Sequence, residues 1–383
     1  MTYNLNIMIK PASSNCNLRC KYCFYHSLAK SRKIKSYGFM DISLLEKIVE
    51  KGLFYAEQNC TFAFQGGEPT LVGLDFYKKL IEFELKYNYK SLSIINAIQT
   101  NGIMINKKWA KFLSENRFLV GISLDGPKEI HNTNRINNQG KGTFKRVIET
   151  INLLNKYKVE YNILTVVTSL VARHPTKVYN FFKNHKFRYL QFIPCLEPLN
   201  EEIRKEDYSL KPEKYAYFLK TIFDLWYDDI LKRDIISIQY FDNLLGLLMG
   251  YKPEVCGMAG HCICQFVIEA DGGVYPCDFY VTDQWYLGNI KKLDFNKLLN
   301  SVNSKRFNEV SKYINPECES CKWYYLCRGG CRRWREPFEN EKPKLNILCS
   351  AYKKFLNYSK ERLIELAQKL KAERMIEKNN IYF

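Results

Sequence analysis

The sequence predicts an α/β protein: a partial (β/α)6 barrel followed by a small cysteine-rich unit. Two observations predict it. Six short β-rich runs alternate with longer segments of helical period from Leu5 to about Asp229, and nine of the fourteen cysteines crowd between Cys256 and Cys349. A third agrees with them: loops rich in Gly, Asn and Cys follow the ends of successive runs, where the βα loops of such a fold converge on one mouth.

The strand candidates are LNIMIKP (5–11), TFAFQGG (61–67), LSIINAIQT (92–100), FLVGISLDG (118–126), YNILTVVTS (161–169) and YLQFIPC (189–195). Several are apolar almost throughout, as strands covered on both faces of a parallel sheet should be. Segments 42–58, 74–88, 106–116, 142–157, 174–185 and 212–231 place apolar residues three and four apart and read as the intervening helices. Six βα units in series imply a curved parallel sheet with helices outside. After a helical stretch ending near Gly250 the texture changes to glycines, short turns and cysteines, and a closing amphipathic helix follows at about 351–377. The expected domain limits are 1–235, 236–350 and 351–383.

At 383 residues, 46% hydrophobic and 15% aromatic, the chain can bury a large core and is neither disordered nor low in complexity. No run approaches the roughly eighteen apolar residues of a membrane span, and no secretory leader precedes Pro11, so a cytoplasmic protein with no membrane partner is expected. The net charge of +18 would favour acidic partners, but the lysines are scattered along helix-like segments rather than gathered, so no nucleic-acid partner is expected. In a reducing cytosol, clustered cysteines suggest metal rather than disulfides.

The loop CNLRCKYC supplies Cys16, Cys20 and Cys23 with no fourth cysteine nearby. Structural zinc prefers four ligands in paired knuckles, and a zinc site completed by a remote ligand such as His26 is the alternative here. Three thiolates alone suit a 4Fe-4S cluster with one iron left open to a chelating small molecule.

CxxxCxxC after the first strand of a six-unit TIM-like partial barrel resembles the signature of radical S-adenosylmethionine (SAM) enzymes. The resemblance implies that the amino and carboxylate groups of SAM occupy the open iron, and that an electron from the cluster cleaves SAM to a 5′-deoxyadenosyl radical. Gly66, Gly67 and Glu68 match the GGE motif of that family, where backbone carbonyls and a carboxylate meet the ammonium group. Tyr22 and Leu196 would then contact adenine, and Ser123 and Arg135 the ribose and the methionine carboxylate.

The later cysteines, with Cys277 in a Gly272-x4-Cys277 setting, resemble the SPASM extension of these enzymes. By that resemblance one auxiliary 4Fe-4S cluster takes Cys256, Cys262, Cys277 and Cys331, and the other Cys318, Cys321, Cys327 and Cys349. Cys264 is left out on family analogy alone, since spacing does not separate it from Cys262. A pair of zinc sites is the alternative. Cys60, Cys195 and Cys264 read as small buried hydrophobes.

The stretches CNLRCKYCFYHSL, FAFQGGEPTL, QTNG, SLDGP, ARH, YPCDFY and CRGGCRR together resemble the anaerobic sulfatase-maturating enzymes over nearly the whole chain. Those enzymes oxidise a Cys or Ser in a Cys/Ser-x-Pro-x-Arg context to Cα-formylglycine. The resemblance implies a sulfatase polypeptide as substrate, an electron donor such as flavodoxin or ferredoxin, and a monomer. Removing a Cβ hydrogen leaves a radical that must lose a proton and an electron. Asp278, beside Cys277, is the expected general base, with Gln65, Tyr25 and His26 as contacts of the substrate peptide. A SPASM maturase forming thioether cross-links and a non-catalytic zinc-binding nucleic-acid adaptor are the alternative functions.

Overall fold

The computed structural model describes residues 4–198, 206–340 and 342–380, with side chains to 373. Ten strands follow in chain order: β1 Leu5–Ile9, β2 Asn59–Phe64, β3 Ser93–Thr100, β4 Leu119–Ser123, β5 Tyr161–Val167, β6 Tyr189–Pro194, β7 Ser237–Ile238, β8 Val267–Ile268, β9 Gly273–Tyr275 and β10 Gly288–Asn289. The helices that matter here are α1 Phe24–Lys30, α2 Ile42–Tyr55, α3 Leu74–Tyr87, α4 Lys107–Glu115, α5 Lys128–Asn134, α6 Phe144–Lys156, α7 Ser169–Arg173, α8 Pro175–Asn184, α9 Pro212–Leu231 and α10 Gln239–Leu248. All six expected strands and all six expected helices are present. The short α1, α5 and α7 and the two- and three-residue strands β7 to β10 were not foreseen, because segments this short carry too few residues to show a period.

The chain divides into two compact units: 1–164 with 197–203 and 263–308, and 165–196 with 204–262 and 309–383. In the first, the sheet order is β10-β9-β8-β1-β2-β3-β4-β5. Strands β1 to β5 are parallel neighbours, with Ile7 level with Phe62 and Phe62 with Asn96. That is the sequence of a βα series, with α2, α3, α4 and α6 as crossovers. β1 turns Leu5, Ile7 and Ile9 inward, and α2 buries Leu44, Leu45, Ile48, Val49 and Leu53 along one stripe. Gly52 lets that helix approach the sheet: a Cβ there would lie 2.9 Å from Ile7 Cδ1. Burying each such aliphatic side chain contributes about 1.5–3 kcal/mol.

The unforeseen strands complete this sheet. β8 pairs parallel with β1, with Lys10 N–H donating to Ile268 O at 2.8 Å, and β9 and β10 turn back antiparallel. The second unit holds the end of β5 with β6 and β7, in that order. Its core is aromatic: α9 buries Phe218, Phe223 and Trp226, and Trp226 and Phe223 meet Phe241 and Phe355 at centroid distances of 5.0–5.7 Å. Phe355 belongs to the closing helix Cys349–Asn380. Residues 381–383 of the expected C-terminal segment lie outside the described residues.

Candidate active site

The CNLRCKYC loop lies between β1 and α1, and Cys23 forms the N-cap of that helix. All three cysteines are half-buried. Burial pushes Cys16 up to about 12 and Cys20 to about 11, and it raises Cys23 too. Smaller contributions come from the other thiols: Cys16 feels Cys20 and Cys23, and Cys20 feels Cys23. Thiols crowded this way stay protonated until a metal displaces their protons. Among the described residues no three His, Cys, Asp or Glu are placed to grip a single ion. His26 is exposed on α1 and is not grouped with these cysteines around a single ion. Three thiols and no fourth donor suit a cubane, which sets its ligands apart around its own body.

The GGE loop after β2 is threaded against this loop. Gly67 N–H donates to Ser13 O at 2.9 Å and Glu68 N–H to Asn15 O at 2.8 Å. A Cβ on Gly67 would fall 2.0 Å from Asn15 O, so only glycine fits. Glu68 is 1% exposed and spends its carboxylate inside the protein. Oε1 accepts from Thr70 N–H and from the hydroxyls of Thr70 and Thr100, and Oε2 accepts from Asn101 N–H at 2.8 Å. It acts as a strut between the loops after β2 and β3.

At the end of β4, Ser123 Oγ accepts from Gln99 Nε2 at 3.2 Å. Arg135 is buried and donates through Nε to Asp125 Oδ2 at 3.0 Å. Tyr22 also gives its hydroxyl hydrogen to Asp125, and the guanidinium lies 5.4 Å from its ring. Asp125 thus ties the cluster loop to Arg135, a role the sequence reading missed. The available signal was an acid ending an apolar strand, which when buried requires a cation. His131 accepts from Asp125 N–H through Nδ1 and so turns its Nε2–H to Thr143; burial lowers it to about 4 and keeps it neutral.

Asp278 is 7% exposed. Its Oδ2 accepts from the Tyr25 hydroxyl at 2.5 Å and from Gln65 Nε2 at 3.2 Å, and Gln65 also reaches Tyr25 Oη at 2.8 Å. Three residues expected at the substrate side, from positions 25, 65 and 278, therefore meet. Oδ1 is buried with no hydrogen-bond partner, and Lys10 Nζ stands 3.6 Å from it. Burial raises the carboxyl's pKa while Lys10 pulls it down. Lys10 also lies 3.5 Å from Glu269, which Arg32 holds at 2.6 Å, and 4.5 Å over the Tyr25 ring. Lys10 was missed as well; a lysine closing an apolar strand was its signal.

In the second unit Cys318, Cys321, Cys327 and Cys349 line one cavity with Trp323, Tyr324, Gly329 and Tyr352. Cys256, Cys262 and Cys331 form a further group: a Cβ on Gly257 would lie 3.1 Å from Cys331 Cβ, and Cys331 is pushed up to about 12 by burial and then by Cys256 and Cys262. Cys277 belongs to the first unit, and the buried Leu196 to the second. Cys264, in the first unit, is raised to about 11 by burial. Cys60 and Cys195 are buried.

The family model "Radical SAM superfamily" matches residues 11–179, and "Iron-sulfur cluster-binding domain" matches 261–322. The cysteine-type anaerobic sulfatase-maturating enzyme of Clostridium perfringens is 53% identical over 96% of this chain and 99% of its own. The serine-type enzyme of Bacteroides thetaiotaomicron is 36% identical over 92% and 89%. The solved structure of native anSMEcpe with bound AdoMet and Cp18Cys peptide is 52% identical, covers 96% of this chain and 100% of that one, and has a TM-score of 0.93.

Proposed function

The chain belongs to the anaerobic sulfatase-maturating enzymes, and we propose that it oxidises one cysteine of a sulfatase polypeptide, in a Cys-x-Pro-x-Arg setting, to Cα-formylglycine. The higher identity to the cysteine-type relative than to the serine-type one supports a cysteine target. When bound, SAM and the iron-sulfur clusters supply abstraction of the Cβ hydrogen and accept the substrate's second electron. Cys16, Cys20 and Cys23 hold the SAM-binding cluster. Cys318, Cys321, Cys327 and Cys349 hold one auxiliary cluster. Cys256, Cys262 and Cys331 serve the other, with Cys277 as the fourth ligand by family resemblance.

The observation that carries this reading is the divided carboxylate of Asp278. Tyr25 and Gln65 fix Oδ2, and Oδ1 is left without a hydrogen-bond donor. Oδ1 is therefore the atom that takes the thiol proton as the substrate carbon becomes a thioaldehyde, which water converts to the aldehyde with release of hydrogen sulfide. Burial raises the pKa of this carboxyl, as suits a proton acceptor, and Lys10 at 3.6 Å from Oδ1 offsets part of that rise. Arg135, oriented by Asp125, takes the carboxylate of SAM; backbone atoms of Gly66 and Gly67 receive its ammonium group beside Glu68; and Ser123, Tyr22 and Leu196 complete the nucleoside contacts. His26, exposed on α1, meets the peptide at the rim.

We further propose that the domain limits are 1–235, 236–350 and 351–383, that the enzyme acts as a monomer in the cytoplasm, and that it receives electrons from a reduced flavodoxin or ferredoxin, whose acidic surface would complement a chain of charge +18. Among the described residues no helix is long and apolar enough to cross a membrane.

The test is Asp278→Asn in reconstituted enzyme supplied with SAM, reductant and an 18-residue cysteine peptide. Aldehyde formation, read by mass spectrometry, should fall by about 10²–10⁴-fold while 5′-deoxyadenosine is still produced. Undiminished aldehyde would remove Asp278 from the mechanism, and absence of 5′-deoxyadenosine from the unaltered enzyme would remove the reading as a whole.

A further inference from the structure

Arg335 is 4% exposed. Its Nε donates to Lys344 O at 3.2 Å and its Nη2 to Tyr313 O at 2.8 Å, both neutral backbone carbonyls. Among the described residues no carboxylate lies within ion-pair distance of it. A buried guanidinium without an anion is costly, because burial removes the water that would otherwise stabilise its charge. The structure shows where an anion would be. Gly329 lines the cavity bounded by Cys318, Cys321, Cys327 and Cys349, and a Cβ on Gly329 would lie 3.8 Å from Arg335 Nη1. Arg335 ends the short 3₁₀ turn Arg332–Arg335 that begins directly after Cys331, a member of the other cysteine group.

The field of the guanidinium reaches both groups. Burial presses its own pKa down, and Cys318 and Cys262, one from each group, push it back up. Burial raises both Cys318 and Cys262; Arg335 opposes that rise at Cys318 ahead of Lys353, and Arg332 opposes it at Cys262 ahead of Arg335. Lys353 is 40% exposed at its side chain and is 3.9 Å from Glu317, so water and a carboxylate screen it. Arg335 has neither relief.

We propose that Arg335 is the shared counter-ion of the two auxiliary clusters and raises their reduction potentials so that they can accept the electron released by the substrate. This rests on the cluster assignment proposed above. A cluster held by thiolates gains negative charge on reduction, and a fixed buried cation stabilises the reduced state more than the oxidised one. The fixed fork of arginine, anchored on two carbonyls, keeps that charge in place beside the cavity of the first group and in the turn that Cys331 of the other group opens.

The experiment compares unaltered enzyme with Arg335→Gln and Arg335→Lys, all reconstituted without oxygen, by iron content and by redox titration followed by electron paramagnetic resonance. With iron retained, Arg335→Gln should shift the reduced-to-oxidised ratio of the auxiliary clusters at fixed potential about tenfold toward oxidised, equivalent to about 59 mV for a one-electron couple. The SAM-binding cluster should be unmoved. Unchanged auxiliary potentials at full iron content would overturn the proposal. If Arg335→Gln loses auxiliary iron, Arg335→Lys decides: iron retained with lysine supports a role for the charge, and iron lost with lysine too means the residue serves packing alone. Unaltered enzyme holding only about four irons per chain would instead refute the auxiliary clusters themselves.

Discussion

Glu84 offers a stability test that is independent of the chemistry. It lies on the inner side of α3, is 6% exposed, and accepts from Asn96 Nδ2 on β3 at 3.1 Å. Its other oxygen, Oε1, and Asn96 Oδ1 are both buried without partners. A proton on the carboxyl would supply a donor at a pair of buried oxygens that have none. Burial accordingly raises Glu84 from 4.5 to about 7. The folded state thus binds this proton more tightly than the unfolded chain does. Below about pH 4.5 both states are protonated and nothing is lost. As pH rises through 4.5–7 stability falls, and above about 7 the full cost of a buried carboxylate is present. At about 1.36 kcal/mol per tenfold step in proton affinity, that cost is about 3 kcal/mol. Glu84→Gln removes the charge, and its amide can donate to Asn96 Oδ1. The variant should be about 3 kcal/mol more stable than the parent at pH 8 and nearly equal to it at pH 5 or below. Melting temperatures of both proteins, measured without oxygen from pH 5 to 8.5, test this. Parallel curves would mean that the proton is not there.

Two further outcomes follow from the site. Asp125→Asn should weaken the hold on Arg135 and raise the KM for SAM about tenfold, the effect of about 1.4 kcal/mol, with iron content intact; an unchanged KM would free Arg135 from dependence on Asp125. Gly67→Ala should force the Cys16 loop away from Asn15 O and lower SAM cleavage on the order of 100-fold, and wild-type cleavage would show that the two loops can part.

How far the sequence revealed this site depended on the kind of signal each residue carries. The cysteines and Gly67 announced themselves because their chemistry or conformational freedom is rare at such spacing, whereas Asp278 was expected from its place beside Cys277 and from the family resemblance. Their meetings with Tyr25 and Gln65 were legible because a βα series brings its loops to one end of the sheet. Lys10 and Asp125 carried only the weak signal of a charge closing an apolar strand, and Glu269 and Arg335 carried none. Each is an ordinary charged residue whose importance comes from burial, and most such residues in a chain of charge +18 are solvated. Glu68 was found but cast differently: a motif reports that a carboxylate is required, whereas only the structure shows Thr70, Thr100 and Asn101 taking its oxygens.

The placement of Asp278 shows why the least predictable strands matter most. In a parallel series β1 would have one neighbour on one side only, and an unpaired strand invites pairing with another chain. Here β8 fills that edge: Met8 N–H donates to Phe266 O at 3.2 Å and Lys10 N–H to Ile268 O at 2.8 Å. These bonds fix the register of the hairpin β8-β9 against β1, and the chain leaving β9 delivers Asp278 beside Lys10 at the end of that strand. Phe279 then packs edge-on against Phe24 of α1, with centroids 5.1 Å apart, holding the turn against the helix that carries Tyr25. The proposed base is thus positioned by strand pairing rather than by a free loop. A slip of one residue between β8 and β1 would reverse the faces of the hairpin and carry the carboxylate away from Tyr25 and Gln65. The pairing that protects the sheet edge therefore also sets where Asp278 stands against Tyr25, Gln65 and Lys10, a dual role that leaves no mark in a sequence read element by element.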